Sequence, residues 1–196
     1  MAVVLAGGWG SRLGGRHKPV IAVAGRTLLD RSLAAVAGAD ATVVVGPAVP
    51  TGRQVHWTLE QPRGGGPVAA LAAGLAALPG DPDEVVVLAA DLVGVTAATV
   101  DRLRAAITED GAMLCDAEGK RQWLIGAWRT ASLRAALPAE PAGRSLRSTL
   151  GTLAVTDVPG LPGECDDVDT QADLARYLAG AREGPVTREA SQPSHW

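Results

Sequence analysis

The sequence predicts a three-layer α/β domain, in which helices cover both faces of a mostly parallel sheet of about seven strands. Short, continuous apolar runs alternate with helical patterns, and a glycine-rich segment follows the first apolar run. Apolar runs of this kind are typical of strands that are buried on both faces, and their alternation with helices favours parallel pairing through right-handed crossovers. The 196 residues, 47% of them hydrophobic, are sufficient to form one core.

The individual elements follow from local patterns. The first strand is predicted over residues 2–6, and the first helix begins at Thr27 with the capping box Thr-Leu-Leu-Asp and ends before Gly38. The other predicted strands are 41–45, 55–59, 85–89, 112–115, 123–128 and 153–155, and the other predicted helices are 67–78, 96–107, 132–137, 145–150 and one that starts at the capping box of Thr170 and Asp173. Beyond Gly180 the sequence becomes polar and is interrupted by Pro and Gly. We therefore predict a single domain over 1–180 and a disordered tail over 181–196.

Composition disfavours several classes of protein. The net charge of -3 offers no basic excess for a polynucleotide or an anionic membrane surface. The longest apolar stretch, 67–79, is too short to cross a bilayer, and no signal-like pattern precedes the first strand, so we predict a cytoplasmic protein. The two cysteines, Cys115 and Cys165, form neither a disulfide framework nor a zinc motif and are expected to be reduced thiols.

The segment between the first strand and the first helix resembles a phosphate-binding loop. It contains several glycines, which allow backbone N–H groups to approach an anion, together with the cations Arg12 and Lys18. Lys18 is also one of only two lysines in a chain that otherwise uses arginine. In open α/β sheets, ligands bind outside the carboxyl ends of the strands, where this loop lies, so a polyphosphate is the expected ligand. The alternative is an ordinary glycine-rich surface turn.

A second glycine-rich stretch, 63–67, follows the third predicted strand and places Pro67 in the first turn of a helix. A loop without side chains could hold a flat base and read its edge through the backbone, or it could serve only as a tight helix start. Farther along, Trp123 with Arg144 and Arg147 would suit a planar, phosphorylated acceptor. These three residues could equally be a core side chain and two solvated cations.

Three aspartates are candidates for a metal site. Asp91 ends the apolar run 85–90 and thus lies at the carboxyl end of a central strand, where a hard carboxylate oxygen would suit Mg²⁺. Asp167 and Asp169 precede the last helix, and alternation along an extended segment would put both on the same side. A helix cap is the alternative for Asp91, and stabilisation of the helix dipole is the alternative for the other two.

Together these motifs resemble the molybdenum cofactor guanylyltransferase family. The resemblance covers nearly the whole chain before the predicted tail and rests on Leu5-Ala-Gly-Gly-x3-Arg12-x-Gly14-x3-Lys18, Gly66-Pro67, Asp91 and Asp167-x-Asp-Thr-x2-Asp-Leu174. It implies a Rossmann-like mixed sheet of the nucleotide-diphospho-sugar transferase type. It also implies transfer of GMP from Mg·GTP to the terminal phosphate of molybdopterin, with release of pyrophosphate.

The resemblance also implies roles for individual residues. Gly7, Gly8, Arg12 and Lys18 would hold the triphosphate and Asp91 the magnesium ion. The full nucleotide site would comprise Leu5, Ala6, Gly7, Gly8, Arg12, Lys18, Gly65, Gly66, Pro67 and Asp91. Arg12, Lys18 and Asp91 would be catalytic. From the sequence pattern alone, Asp169 is the candidate second metal ligand, and the acceptor is assigned to Trp123, Arg144, Arg147 and Asp167. Transient contacts with cofactor-delivery or acceptor proteins are compatible with this role.

Three departures from the family pattern leave alternatives open. His17 stands where the family usually has Asp, Val93 stands where it has Pro, and Asp167 and Asp169 stand where it has Asn. This last segment also resembles molybdopterin cytidylyltransferases and phospholactate guanylyltransferases. Another base, another acceptor such as a sugar phosphate, or a non-catalytic nucleotide-binding module therefore remain alternatives, while the double glycine and the Gly-Pro loop favour GTP. A nicotinamide-binding dehydrogenase is disfavoured because Leu13 replaces the third glycine of that fingerprint.

Overall fold

The computed structural model describes residues 1–7, 9–10, 16–23 and 25–180. Its strands are β1 Ala2–Leu5, β2 Trp9–Gly10, β3 Arg16–His17, β4 Ala22–Val23, β5 Arg26–Thr27, β6 Thr42–Val45, β7 His56–Thr58, β8 Glu84–Ala89, β9 Gly111–Cys115, β10 Arg121–Arg129 and β11 Val155–Pro159. Its α-helices are α1 Leu28–Ala35, α2 Pro67–Ala76, α3 Ala97–Ala105, α4 Thr130–Ala136, α5 Leu146–Leu150 and α6 Gln171–Gly180, and a 3₁₀ turn spans Lys18–Val20. Within these residues, no helix is both long enough and apolar enough to pass through a membrane.

Seven strands form the main sheet, in the order β11-β9-β10-β8-β1-β6-β7. β1 lies between β6 and β8 and is parallel to both, β6 is parallel to β7, and β9 is parallel to β11. In contrast, β10 runs against its neighbours, β8 and β9. The sequence-based prediction of a mostly parallel, mixed sheet of about seven strands is confirmed. The antiparallel step has a local cause, since the turn between β9 and β10 is too short for a crossover connection.

Alternate residues of β1 enter two separate cores, one on each face of the sheet. Val4 packs in the core that α1 and α3 cover, whereas Val3 packs in the core that α2, α4 and α5 cover. Helix α2 approaches the sheet closely, because a Cβ on Gly74 would come within 2.4 Å of the Val3 side chain. All four residues of β1 are buried, which explains the continuous apolar run in its sequence.

The predicted strand over 153–155 is wrong in position, since the observed strand β11 spans Val155–Pro159. This strand lies at the edge of the sheet, beside β9. Its residues are half-buried or exposed and include Thr156 and Asp157. An edge strand of this composition has no apolar run that a sequence pattern could detect. Helix α2 also ends two residues earlier than predicted, at Ala76.

The last helix is anchored by a third, smaller core. Leu174 of α6 and Val168 pack there against Ile21, Val23 and Leu28. The predicted capping box is confirmed: the N–H of Asp173 donates to Thr170 Oγ1 at 3.1 Å, and the N–H of Thr170 donates to Asp173 Oδ2 at 2.9 Å. This core holds α6 against the segment that follows Lys18. The predicted tail, 181–196, lies outside the described residues.

Candidate active site

The candidate site lies at the carboxyl edge of the central parallel strands. The N–H of Ala6 donates to the carbonyl of Val45 at 2.8 Å, and the N–H of Ala90 donates to the carbonyl of Leu5 at 3.0 Å. These bonds continue the pairing of β1 to its end and place Asp91 one residue beyond it. Gly7, the next residue after β1 and Ala6, is exposed at this same edge. The chain order and the parallel pairing thus bring the start of the glycine-rich loop beside Asp91.

A short antiparallel contact brings the second group of aspartates to Asp91. The N–H of Val93 donates to the carbonyl of Asp166 at 3.1 Å, and the N–H of Val168 donates to the carbonyl of Asp91 at 3.2 Å. Leu92 and Asp167 form the bridge between these two bonds. Because Val168 is fully buried, alternation directs its two neighbours, Asp167 and Asp169, away from the core.

Asp91, Asp167 and Asp169 form a carboxylate cluster, which we call the aspartate trio. Each offers one carboxylate oxygen, and the three oxygens lie within 4.8 Å of one another. Hard oxygen donors at this spacing fit a divalent cation such as Mg²⁺, which binds to proteins through carboxylates. The chemistry of the donor set therefore fits the metal predicted from the sequence.

Among the described residues, Lys18 brings a positive charge to this site. Its Nζ lies 3.4 Å from Asp91 Oδ2 and donates a hydrogen bond to Asp169 Oδ1, and its side chain is only 17% exposed. Burial alone would lower the pKa of Lys18, but the hydrogen bond to Asp169 and the charge of Asp91 raise it above its ordinary value. The ammonium therefore stays charged and bridges two members of the trio.

Asp167 has the opposite electrostatic environment. Its pKa is raised above the ordinary value, first because its carboxyl group is partly removed from water, and then because Asp169 and Asp91 carry like charges nearby. Lys18 lowers the pKa but does not reverse the shift. A divalent cation bound by the trio would reduce this repulsion between like charges.

The second glycine loop is built as a rigid helix start. Gly66 precedes α2 with a φ of 89°, a conformation that side chains rarely adopt, and Pro67 occupies the first helical turn. The buried Gly65 accepts a hydrogen bond through its carbonyl from the N–H of Gly143 at 2.8 Å. The loop is thus joined to the segment that carries Arg144, an exposed residue.

Comparison with known proteins identifies the family. The family of MobA-like NTP transferase domains matches this chain over residues 2–156. The chain belongs to this family. The family resemblance predicted from the motifs is confirmed, and so is the reaction class, since members are nucleotidyltransferases. Members of this family generally use a divalent metal ion, which agrees with the donor set of the aspartate trio.

A curated relative and several solved structures are similar to this MobA-like transferase. The chain is similar to a molybdenum cofactor guanylyltransferase from Acidiphilium cryptum (strain JF-5), with 38% identity over 79 residues. The match covers 38% of this chain and 40% of that relative. Molybdopterin-guanine dinucleotide biosynthesis protein A from Archaeoglobus fulgidus superposes with a TM-score of 0.69 at 19% identity, covering 92% of this chain and 98% of that one.

Two further structures show how widely the fold is shared. The 2-C-methyl-D-erythritol 4-phosphate cytidylyltransferase from Thermus thermophilus superposes with a TM-score of 0.66 at 22% identity, covering 92% of this chain and 98% of that one. Rv0371C from Mycobacterium tuberculosis H37Rv, in complex with manganese, gives a TM-score of 0.67 at 19% identity, covering 91% and 97%. At these identities the likeness confirms the Rossmann-like nucleotidyltransferase fold predicted from the sequence.

Several predicted site residues of the transferase have buried side chains or lie outside the described part. Leu5 and Ala6 are buried in the sheet, so they can contribute only main-chain atoms to a ligand. Gly8 and Arg12, both predicted to hold the triphosphate, lie outside the described residues. Their assignment stays a prediction.

The residues predicted for the acceptor do not share one environment. Asp167 belongs to the aspartate trio. Trp123 is half-buried and packs against the core on the α2 face, while Arg147 is an exposed residue of α5. Asp167 and Trp123 therefore differ in environment, because Asp167 belongs to the carboxylate cluster and Trp123 is partly packed against the core.

Two positioning features of the transferase gave no recognisable signal in the sequence. Glu164 is a buried carboxylate that accepts hydrogen bonds from Arg102 Nη1 at 2.8 and 3.0 Å, from the Thr99 hydroxyl and from the N–H of Leu161. Gly94 packs so closely on the same turn that a Cβ would lie 2.1 Å from the carbonyl oxygen of Gly163. Both features fasten the segment before Asp167 to the segment after Asp91.

Proposed function

We propose that this protein transfers GMP from Mg·GTP to the terminal phosphate of molybdopterin and releases pyrophosphate. The observation that carries the proposal is the placement of Lys18 and the aspartate trio beside Gly7, at the carboxyl edge of the parallel sheet. A nucleoside triphosphate needs both a flexible cation and a metal at this place in an α/β fold. The 38% identity to a molybdenum cofactor guanylyltransferase over part of the chain supports the choice of substrates.

The two glycine loops bind different parts of the nucleotide. Gly7 and Gly8, with Arg12 and Lys18, hold the triphosphate. Residues 65–67 hold the base, because Gly66, directly before α2, is only partly buried and nothing lies within 4 Å of where its Cβ would be. The bond from Gly143 to Gly65 keeps this loop in place before the ligand arrives.

Asp91 and Asp169 would hold the metal, and the position of Asp167 in the same trio adds it as a third candidate ligand. When bound, Mg²⁺ draws charge away from the α-phosphoryl oxygens and so makes the phosphorus more electrophilic. The manganese in the structure of Rv0371C supports a divalent cation, and the oxygen-only donor set favours magnesium among them.

The chemistry needs no nucleophile from the protein. An oxygen of the acceptor phosphate forms a bond to the α-phosphorus, and the bond from that phosphorus to the bridging oxygen breaks, so that pyrophosphate leaves with its electron pair. Lys18 neutralises charge on the departing pyrophosphate.

The thiols are unsuited to covalent catalysis, because burial and the charge of Asp157 raise the pKa of Cys115 to about 11, and burial raises the pKa of Cys165. We assign binding of the acceptor to Arg144, Arg147 and Trp123. We also propose that residues 1–180 form a single domain.

Pyrophosphate release from purified protein tests the proposal. The protein is incubated with Mg²⁺ and GTP, CTP or UTP, with and without molybdopterin, and the products are analysed by mass spectrometry. We expect release that depends on both GTP and molybdopterin, with the guanine dinucleotide as the product. GTP binding without release across a series of phosphorylated acceptors would contradict it and indicate a non-catalytic module.

Cytidylyl transfer is the second candidate. It is favoured by Asp167 and Asp169 at positions where guanylyltransferases usually have Asn, and by the similarity of the fold to a cytidylyltransferase. A cytosine dinucleotide formed from CTP, with no product from GTP, would establish this candidate instead.

A further inference from the structure

We infer that Lys18 is the resident counter-ion of the aspartate trio, and that its ammonium and a divalent cation compete for Asp91 and Asp169. Metal then binds tightly only when an anionic ligand such as a triphosphate draws the lysine away. This inference rests on the proposed function, since it concerns the same site, but it assigns to Lys18 a control of metal loading in addition to a contact with phosphate.

The position of the ammonium supports this inference. Nζ contacts Asp169 Oδ1 and lies 3.4 Å from Asp91 Oδ2, so it is placed between two of the three carboxylates that would hold a cation. The Lys18 side chain is 17% exposed, compared with 47% for that of Asp169. The lysine is therefore held within the cluster and does not extend into solvent.

The backbone at Lys18 is hydrogen-bonded and followed by a buried residue, so rotation of the side chain is the movement that would release the ammonium. The carbonyl of Lys18 accepts a hydrogen bond from the N–H of Ile21 at 3.0 Å, and the next residue, Pro19, is buried. Ile21 itself belongs to the small core with Leu28 and Leu174. A long, flexible side chain can exchange between two nearby anions by rotation alone.

Charge makes the two cations mutually exclusive. Three carboxylates whose oxygens lie within 4.8 Å of one another repel each other, and the positive charge of Lys18 offsets part of that repulsion. A divalent cation bound to the same oxygens would lie next to the ammonium, so two like charges would then repel each other. Triphosphate oxygens near Gly7 offer the ammonium a new partner, which couples nucleotide binding to metal binding.

The opposite role for the same contacts predicts the opposite result. If Lys18 only held Asp91 and Asp169 together, its removal would let the carboxylates move apart and would weaken metal binding. The sign of the change in metal affinity therefore decides between competition and support.

The first experiment measures metal affinity without nucleotide. Lys18→Met keeps a long, flexible side chain and removes the charge. Lys120→Met is the matched control, because Lys120 is the other lysine of the chain and lies exposed in the turn before β10. Free Mn²⁺ is followed by electron paramagnetic resonance. We expect Lys18→Met to bind Mn²⁺ roughly fivefold or more tightly than the wild type, and Lys120→Met to stay within about twofold. An unchanged or weaker affinity in a folded Lys18→Met protein would overturn the inference.

The second experiment uses the wild-type protein and requires no substitution. The two lysines are acetylated with a limiting reagent, with and without Mn²⁺, and the modified peptides are quantified by mass spectrometry. A lysine held between carboxylates reacts slowly because its amine is protonated and covered. We expect Mn²⁺ to speed the acetylation of Lys18 several-fold and to leave Lys120 unchanged. Metal bound without faster acetylation of Lys18 would contradict the competition.

Both measurements omit GTP and the acceptor. A protein that fails to transfer GMP can therefore still show the exchange between Lys18 and metal, and a protein that transfers GMP can fail to show it. The two proposals fail independently.

Discussion

The N–H of Val168 donates to the carbonyl oxygen of Asp91 at 3.2 Å, and this bond joins the end of β8 to the segment before α6. Val168 is fully buried, and its neighbours Asp167 and Asp169 reach the trio. A shift of the pairing by one residue would turn a valine toward the site and two carboxylates toward the core. The geometry of the candidate metal site therefore depends on main-chain pairing as much as on the aspartates themselves.

Asp91→Asn is expected to lower the rate of nucleotidyl transfer by about 100-fold or more, equivalent to ~2.7 kcal/mol of barrier, because a neutral amide binds a divalent cation poorly. The fold should remain intact, since Asp91 is at the edge of the core. Pyrophosphate release gives the rate and urea unfolding gives the stability. The control is Asp101→Asn, which changes an exposed aspartate of α3 and should leave the rate unchanged. Activity of Asp91→Asn within about threefold of the wild type would remove Asp91 from the metal site.

Gly94→Ala is expected to destabilise the fold by about 1–3 kcal/mol and to weaken Mn²⁺ binding, because the new Cβ would lie 2.1 Å from the Gly163 carbonyl oxygen. The displaced turn leads directly to Asp167. Gly38→Ala is the matched control, since nothing lies within 4 Å of a Cβ there. Unfolding in urea and Mn²⁺ titration would be compared for both variants. Wild-type metal affinity in Gly94→Ala would show that this close packing does not position the trio.

Glu164 is expected to make the stability depend on pH in the acid range. Burial favours the neutral acid, but hydrogen bonds from Thr99 and Arg102 outweigh it, so the pKa of Glu164 is lowered in the folded protein. The stabilisation by the ionised carboxylate is therefore present above the unfolded-state pKa, about 4.3, and is lost as the pH falls through the lower folded-state value. Glu164→Gln should lower the free energy of unfolding by about 1–3 kcal/mol at pH 7 and by much less at pH 3.

Urea unfolding at a series of pH values tests the role of Glu164. The exposed residue Glu109 provides the control, and Glu109→Gln should reproduce the wild-type curve. Parallel curves for Glu164→Gln and the wild type across the acid range would show that Glu164 does not carry the pH dependence.

Gly65→Ala is expected to raise KM for GTP by about tenfold while kcat changes by less than about threefold, because the loop around the base is disturbed but the trio is not. A Cβ at this position would lie 2.9 Å from both the Ala69 Cβ and the Pro62 carbonyl oxygen. Steady-state kinetics measure both constants, with Gly38→Ala as the control. A loss in kcat at unchanged KM would place this loop next to the reacting groups instead of the base.

Local patterns in the sequence were sufficient to predict much of the fold. The apolar run of β1, the helix N-cap at Thr27 and the capping box at Thr170 are short-range signals, because each depends on residues a few positions apart. They determined most elements and the mostly parallel sheet. The edge strand β11 was misplaced because partly exposed polar strands lack such a signal.

By itself the sequence determined the reaction class and the position of Asp91 at the end of a buried strand. Only the tertiary structure decided which distant groups meet there. The contacts of Lys18 with Asp91 and Asp169 join residues that are 73 and 151 positions apart, and Glu164 meets Arg102 from 62 positions away. Contacts between single polar side chains have no periodicity, so they emerge only when strand order, pairing and loop packing have placed the backbone.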